Sequence, residues 1–310
     1  MSKIVIALGG NALGNTAAEQ LEKSRLAAKS IVDLIEMGNQ IIVAHGNGPQ
    51  VGQIHLAFEQ GNKNGIAPLM PFPECTAMSQ GYIGYHLQQS IDEELEARGH
   101  DEIPVIAMLT QVVVDENDPA FQNPVKPVGG YYDEAAAKTL MQTTGDKYIE
   151  DSGRGWRRVV PSPKPIDIYE KITLKTLIDA GQIVIACGGG GIPVVYRGNR
   201  YYGVDAVIDK DFAAAKMADL VGADIFIILT AVDRICLNFN KPNQQELCDI
   251  TAAEAEKYIT DGHFAPGSML PKIQAACMFV ENRENRKSII GSLEKASLAL
   301  NGQSGTTIRQ

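Results

Sequence analysis

A chain of 310 residues, 45% hydrophobic and 21% charged, has an ordinary globular composition. That length buries a sizeable core without disulfide or metal staples. Its formal net charge of −9 excludes wholesale attraction to nucleic acid or to an acidic membrane, since either partner needs a positive face. An anionic substrate must therefore be caught by a local cluster of donors. The five cysteines (Cys75, Cys187, Cys236, Cys248, Cys277) are dispersed, with no C-x-x-C pair and no zinc spacing, the usage expected of free thiols in a reducing compartment. No apolar run approaches the ~18 residues of a membrane span, and the one beginning at Ile4 stops at Gly9, too short for a signal peptide. A cytoplasmic address is expected.

The continuous apolar run 4–8 predicts a buried parallel strand entering the tight turn Gly9-Gly10-Asn11. Residues 17–37 place Leu21, Leu26, Ile31, Leu34 and Ile35 at helical spacing, and Gly38 closes that helix. Residues 41–44 form a second strand, followed by His45-Gly46-Asn47-Gly48-Pro49. Strand, helix and strand in this order make a βαβ unit with a right-handed crossover. Further strands are predicted at 105–109, 183–186 and 225–229, with helices at 76–97, 212–221, 252–259 and 272–280. Such alternation indicates an open α/β sandwich.

One segment departs from the pattern. Six of the fifteen prolines (119, 124, 127, 161, 163 and 165) lie between residues 118 and 165. Proline removes ladder donors, so this stretch is poor material for a central strand. A loop-rich excursion of this length is a lid, a linker or a domain boundary. Trp156, the only tryptophan, and Arg154, Arg157 and Arg158 fall within it.

Three glycine-rich turns follow three predicted strands: 9–11, 46–48 and 188–191. The carboxyl ends of parallel strands share one edge of the sheet, and glycine lets backbone amides approach a ligand there as an anion nest. There is no G-x-x-x-x-G-K-[ST], and no G-x-G-x-x-G opens the first helix, which excludes a P-loop protein and disfavours a dinucleotide dehydrogenase. His45, beside the second glycine turn, is the one histidine placed to matter. Migration of a phosphoryl group passes through a loose anionic transition state that calls for positive charge and positioning. Lysine suits that task, and three lysines stand in turn-like contexts: Lys126 in N-P-V-K-P, Lys210 in V-I-D-K-D and Lys272 in G-S-M-L-P-K. A solvated surface charge is the bland alternative for each.

Eight ordered strings carry a resemblance over essentially the whole length: A-L-G-G-N-A (7–12), H-G-N-G-P-Q-V-G (45–52), L-T-Q-V-V-V-D (109–115), N-P-x-K-P-x-G (123–129), G-R-G-W-R-x-V-V-P-S-P-x-P (153–165), C-G-G-G-G-I-P-V (187–194), V-I-D-K-D-F-A (207–213) and H-F-A-P-G-S-M-L-P-K (263–272). The chain resembles the carbamate kinases of the amino-acid kinase superfamily. The resemblance implies one kinase-like domain over 1–310, a three-layer αβα sandwich around a mostly parallel open sheet of eight strands. A protruding lid subdomain would be inserted at 118–165. It also implies a homodimer and a reversible reaction in which carbamoyl phosphate and ADP give carbamate and ATP. Mg²⁺ is expected to arrive with the nucleotide, and arginine catabolism is the expected setting.

Carried over by position, Gly9, Gly10, Asn11, Gly46, Asn47 and Gly48 are the expected phosphate cradle. Lys210 and Lys272 are expected on the transferring phosphoryl and nucleotide phosphates, Asp211 as the carboxylate orienting them, and Lys126 as the cation closing over carbamoyl phosphate. Ala231, Val232 and Asp233 would border the adenine with Pro266, Gly267, Ser268 and Met269. Relatives acting on carboxylates usually carry a lysine where this chain has Ala7, so Lys126 is the expected source of the missing charge. A sibling kinase of the same fold and a catalytically silent ligand-binding relative are the alternatives.

Overall fold

The computed structural model describes residues 1–9, 14, 16–151 and 153–310. The N-terminal apolar run is β1 (Lys3–Leu8), followed by α1 (Ala17–Glu36) and β2 (Gln40–His45). The Thr16 hydroxyl accepts the Glu19 amide at 3.2 Å, satisfying one of the donors that a helix start leaves unpaired. Two helices, α2 (Gly48–Lys63) and α3 (Phe72–Ala97), lead to the short strands β3 (Val105–Ala107) and β4 (Gln111–Val114). The proline-rich excursion contains β5 (Lys126–Tyr132), α4 (Glu134–Thr144), β6 (Lys147–Glu150) and β7 (Trp156–Val160). Next come β8 (Pro165–Ile168), α5 (Lys171–Asp179), β9 (Ile183–Ile185) and the hairpin β10 (Ile192–Arg197) with β11 (Arg200–Gly203). The C-terminal part runs α6 (Lys210–Leu220), β12 (Ile225–Thr230), the small hairpin β13 (Cys236–Leu237) and β14 (Gln245–Glu246), β15 (Asp249–Thr251), α7 (Ala252–Thr260), α8 (Met269–Glu281), β16 (Lys287–Ser292), α9 (Ala296–Leu300) and β17 (Thr306–Arg309).

Eight of these strands form the central sheet in the order β15-β17-β16-β12-β1-β2-β9-β3. Six neighbours from β16 to β3 run parallel, and only the β16–β17 pairing is antiparallel. Alternation along each strand sends residues to two separate cores. Ile4, Ile6 and Leu8 of β1 join Ile41 and Val43 of β2 against α1, α3 and α9. Val5, Ala7, Ile42 and Ala44 face the other way, against α5, α6, α7 and α8. The sheet is thus covered on both faces, which is why its strands are continuous apolar runs. Three layers result, as the resemblance implied.

The excursion is more ordered than its proline content predicts. It holds a three-stranded antiparallel sheet in the order β5-β7-β6, and α4 is capped by Asp133, whose carboxylate accepts the Ala136 amide at 2.7 Å. Pro127 is tolerated because β5 is an edge strand, with one side of its ladder free. Arg157 pairs with Asp151 at 3.1 Å and Arg158 with Asp146 at 2.7 Å, so these arginines hold the excursion together. A further sheet, β11-β10-β4-β8, was also hidden in sequence. β10 and β11 are joined at Gly198 and Asn199, which both adopt the positive φ of a tight hairpin.

The third glycine run supports the site edge by close packing. Cys187, Gly189, Gly190 and Gly191 all have positive φ. A Cβ on Gly189 would lie 2.0 Å from Asn47 Nδ2, and one on Gly190 would lie 2.1 Å from the Ile208 carbonyl oxygen. Gly190→Ala should therefore cost at least about 4 kcal/mol, combining a left-handed backbone with a collision against main chain. Gly198→Ala, where φ is 51° and nothing lies within 4 Å, should cost only about 1 kcal/mol. Urea unfolding of both variants checks the contrast, and equal losses would contradict it.

Candidate active site

The site is organised by the first turn of α6. Asp209 is its N-cap, with Oδ1 accepting the Asp211 amide at 3.0 Å. This fixes Lys210 and Asp211 as the first two helical residues. The Asp211 side chain is only 3% exposed, and each of its oxygens accepts an ammonium: Oδ1 from Lys210 at 2.5 Å and Oδ2 from Lys272 at 2.8 Å. Lys272 stands in the first turn of α8, where Pro271 is acceptable because its missing amide has no intrahelical partner there. Lys126, the first residue of β5, donates to Asp209 Oδ2 at 2.8 Å. The structure therefore brings Lys126, Lys210 and Lys272 together on two carboxylates, and places all three on regular elements where sequence context suggested turns.

Electrostatics leave this cluster with a net positive charge. Three ammoniums over two carboxylates leave one excess positive charge, and each helix N-terminus adds roughly half a charge more. Burial pushes the pKa of Lys210 down and the neighbouring Lys272 adds to this, while Asp211 pulls it back up. Burial works to raise Asp209, but Lys126, the Asp211 amide and Lys210 override it and hold the carboxyl at about 2. His45 is buried, which pushes its pKa down to about 4, with Lys210 contributing in the same direction. Its neutral ring donates from Nδ1 to the Gly46 carbonyl at 3.0 Å.

Two of the glycine amides at the expected cradle are taken up by the sheet. The Gly9 amide donates to Leu229 at 3.2 Å and the Gly46 amide to Leu8 at 3.1 Å, so both extend the sheet ladder. Gly48 and Gln50 open α2, whose first-turn amides have no intrahelical partner, and Pro49 has no amide. Gly10 and Asn11 lie outside the described residues. Asn47 is buried and donates from Nδ2 to Ser79 Oγ at 2.9 Å, locked beneath Gly189. Ala7, fully buried, faces α6, so the small residue lets that helix approach the sheet.

Ala231, Val232 and Asp233 follow β12 directly, and Asp233 pairs with Lys295. Pro266, Gly267 and Ser268 are exposed just ahead of α8, and Met269 packs its side chain against the core beneath it. Two residues of the cluster escaped the sequence reading. Asp209 could have been found as an Asp immediately before a helix start. Lys164 lies with its ammonium 2.9 Å from the centroid of the Phe212 ring. Burial lowers its pKa to about 8, against the opposing pull of Asp209 and Asp118.

A three-layer sandwich with glycine turns and converging ammoniums at one sheet edge defines a phosphoryl-handling α/β enzyme. The model of the amino acid kinase family matches residues 2–292, and the chain belongs to that family. It is 54% identical to a carbamate kinase of Clostridium perfringens, with 99% of each chain covered. It is 52% identical to the carbamate kinase-like protein YqeA of Escherichia coli, again with 99% of each covered. A solved carbamate kinase from Giardia lamblia bound to AMP-PNP superposes with a TM-score of 0.93 at 42% identity, over 99% of this chain and 98% of that one.

The Asp209 pairing gives a pH prediction with a definite sign. Its folded pKa of about 2 lies below the ordinary 3.8, so the pairing contributes fully above that ordinary value and is lost as pH falls towards 2. A shift of this size is on the order of 2 kcal/mol. Asp209→Asn keeps the cap and should be less stable by about that amount at pH 7. The gap should close between pH 4 and about 2 in denaturant unfolding. A gap independent of pH would contradict the pairing.

Proposed function

We infer that the chain is a carbamate kinase, transferring a phosphoryl group from carbamoyl phosphate to ADP to give ATP and carbamate, and catalysing the reverse. The observation that carries this reading is the convergence of Lys126, Lys210 and Lys272 on Asp209 and Asp211. Full-length similarity to carbamate kinases supports it. Both nucleophiles, a terminal phosphate oxygen of ADP and a carbamate oxygen, are already anionic, so no general base is required. A neutral, buried His45 is compatible with that chemistry.

In this reading Lys210 and Lys272 contact the migrating phosphoryl group and the nucleotide phosphates, and Asp211 holds their ammoniums in place. The residues 118–165 act as a lid that brings Lys126 to carbamoyl phosphate and excludes water. The loops at 231–233 and 266–269 border the adenine. Asp209 and Asp211 are already occupied by ammoniums, so Mg²⁺ fits as a companion of the nucleotide phosphates. There it would neutralise charge on the transferring group. Carbamate decays to ammonia and carbon dioxide, which draws the reaction towards ATP and suits arginine catabolism. A homodimer belongs to the same reading.

A coupled assay should show ATP appearing from ADP, Mg²⁺ and carbamoyl phosphate, and far more slowly from acetyl phosphate. Equal use of the two donors would overturn the substrate assignment. Lys210→Ala and Lys272→Ala should each lower kcat by about 10²–10³-fold, the range for removing one transition-state donor. Lys126→Ala should raise KM for carbamoyl phosphate, and normal kinetics in that variant would refute the role of the lid lysine.

A further inference from the structure

Lys164 fills the position that the run Pro161-Ser162-Pro163-Lys164-Pro165 leaves open. It lies on the second neck of the excursion, and Lys126 lies on the first. The necks are joined twice. Lys126 sits opposite Val160 in the β5–β7 ladder, and Asp118 accepts the Lys164 amide at 2.9 Å through Oδ2 while its Oδ1 accepts the Ala120 amide at 2.8 Å. Prolines on both sides restrict the backbone around Lys164. Its ammonium nevertheless makes no ion pair among the described residues and rests on the face of Phe212. Phe212 is one helical turn beyond Asp209 at the start of α6. Each neck thus directs an ammonium towards the same helix start, and only Lys126 is bonded to the carboxylate there.

If Lys126 is to meet an anionic substrate, as the proposed function holds, it must give up Asp209. The Asp209 side chain is only 16% exposed, and a carboxylate so enclosed is strongly unfavourable without a cation. We propose that Lys164 is the counter-ion that replaces Lys126 on Asp209 when Lys126 turns to the substrate, a positioning residue that sets how readily Lys126 is released. The Phe212 face is its waiting position, an attractive surface for a cation that holds it less firmly than a carboxylate would. Asp209 already acts on the Lys164 ammonium across space, and the flexible four-carbon stem lets that ammonium change rotamer.

This inference rests on the reading of Lys126, and the test separates the two. Steady-state ATP formation would be measured for wild type, Lys126→Ala, Lys164→Met, Lys164→Arg, Asp209→Asn and the double variant Asp209→Asn/Lys164→Met. Lys164→Met should raise KM for carbamoyl phosphate about tenfold, with kcat and the KM for ADP little changed. Lys164→Arg should restore the wild-type KM. In the Asp209→Asn background, where the cap persists but the charge is gone, Lys164→Met should have no further effect. A wild-type KM in Lys164→Met, or the same increase in both backgrounds, overturns the exchange while leaving Lys126 in its role. A wild-type KM in Lys126→Ala removes the role of Lys126, and the exchange falls with it.

Discussion

Two carboxylates at the start of one helix, Asp209 and Asp211, decide where three ammonium groups stand. Without them Lys210 and Lys272 would repel each other at close range, and Lys126 would have no reason to leave solvent. Asp211 receives one ammonium on each oxygen. Asp209 caps the helix with one oxygen and holds Lys126 with the other. A chain with a net charge of −9 thereby acquires a small region of positive potential. That region sits where helix dipoles reinforce it, opposite in sign to the acidic remainder of the molecule.

The sandwich exists in a form that can deliver this cluster. The carboxyl ends of β1, β2, β9 and β12 lie at one edge of the sheet because those strands are parallel. α6 packs closely on the sheet because the core between them is rich in alanine: Ala213, Ala214, Ala215 and Ala218 on the helix and Ala7 and Ala44 on the strands are all buried in it. Larger side chains at this contact would push the helix outward and carry Asp209 and Asp211 away from the strand ends. The run Gly188–Gly191 acts with the same economy of space, since His45, Asn47 and the Ile208 carbonyl occupy the volume that any side chains there would need. Close packing and electrostatics are therefore one design problem in this edge.

Sequence reading reached the central layers because their strands are long apolar runs buried on both faces, a signal that periodicity captures well. The excursion's sheet is hidden from such a reading because edge strands tolerate proline, and Pro127 argues only against a central strand. Lys126, Lys210 and Lys272 were found from their neighbours and from the resemblance, yet each was placed in a turn. A helix start looks like a turn in sequence, because Asp, Ser and Pro favour both. Asp209 was missed for a related reason. Its capping role is common and unremarked in sequence, while its second role as partner of Lys126 joins residues 83 positions apart. Lys164 was invisible because its significance lies in a ring face and a charge across space, neither of which spacing encodes.

The resting cluster also bears on which anions the site can accept. Lys126, Lys210 and Lys272 all have carboxylate partners, so an incoming anion must compete with Asp209 and Asp211 for them. At an effective dielectric near 20 and 4 Å separation, each unit of charge contributes about 4 kcal/mol before desolvation is counted. A singly charged anion offers each lysine no more than the carboxylate it would displace. A phosphoryl group carries more charge, spreads it over three oxygens, and can draw on several ammoniums and helix N-termini together. Under the proposed function, the paired state of the lysines favours phosphorylated ligands over simple carboxylates. A site with the same three lysines and no carboxylates would bind more anions and discriminate less among them.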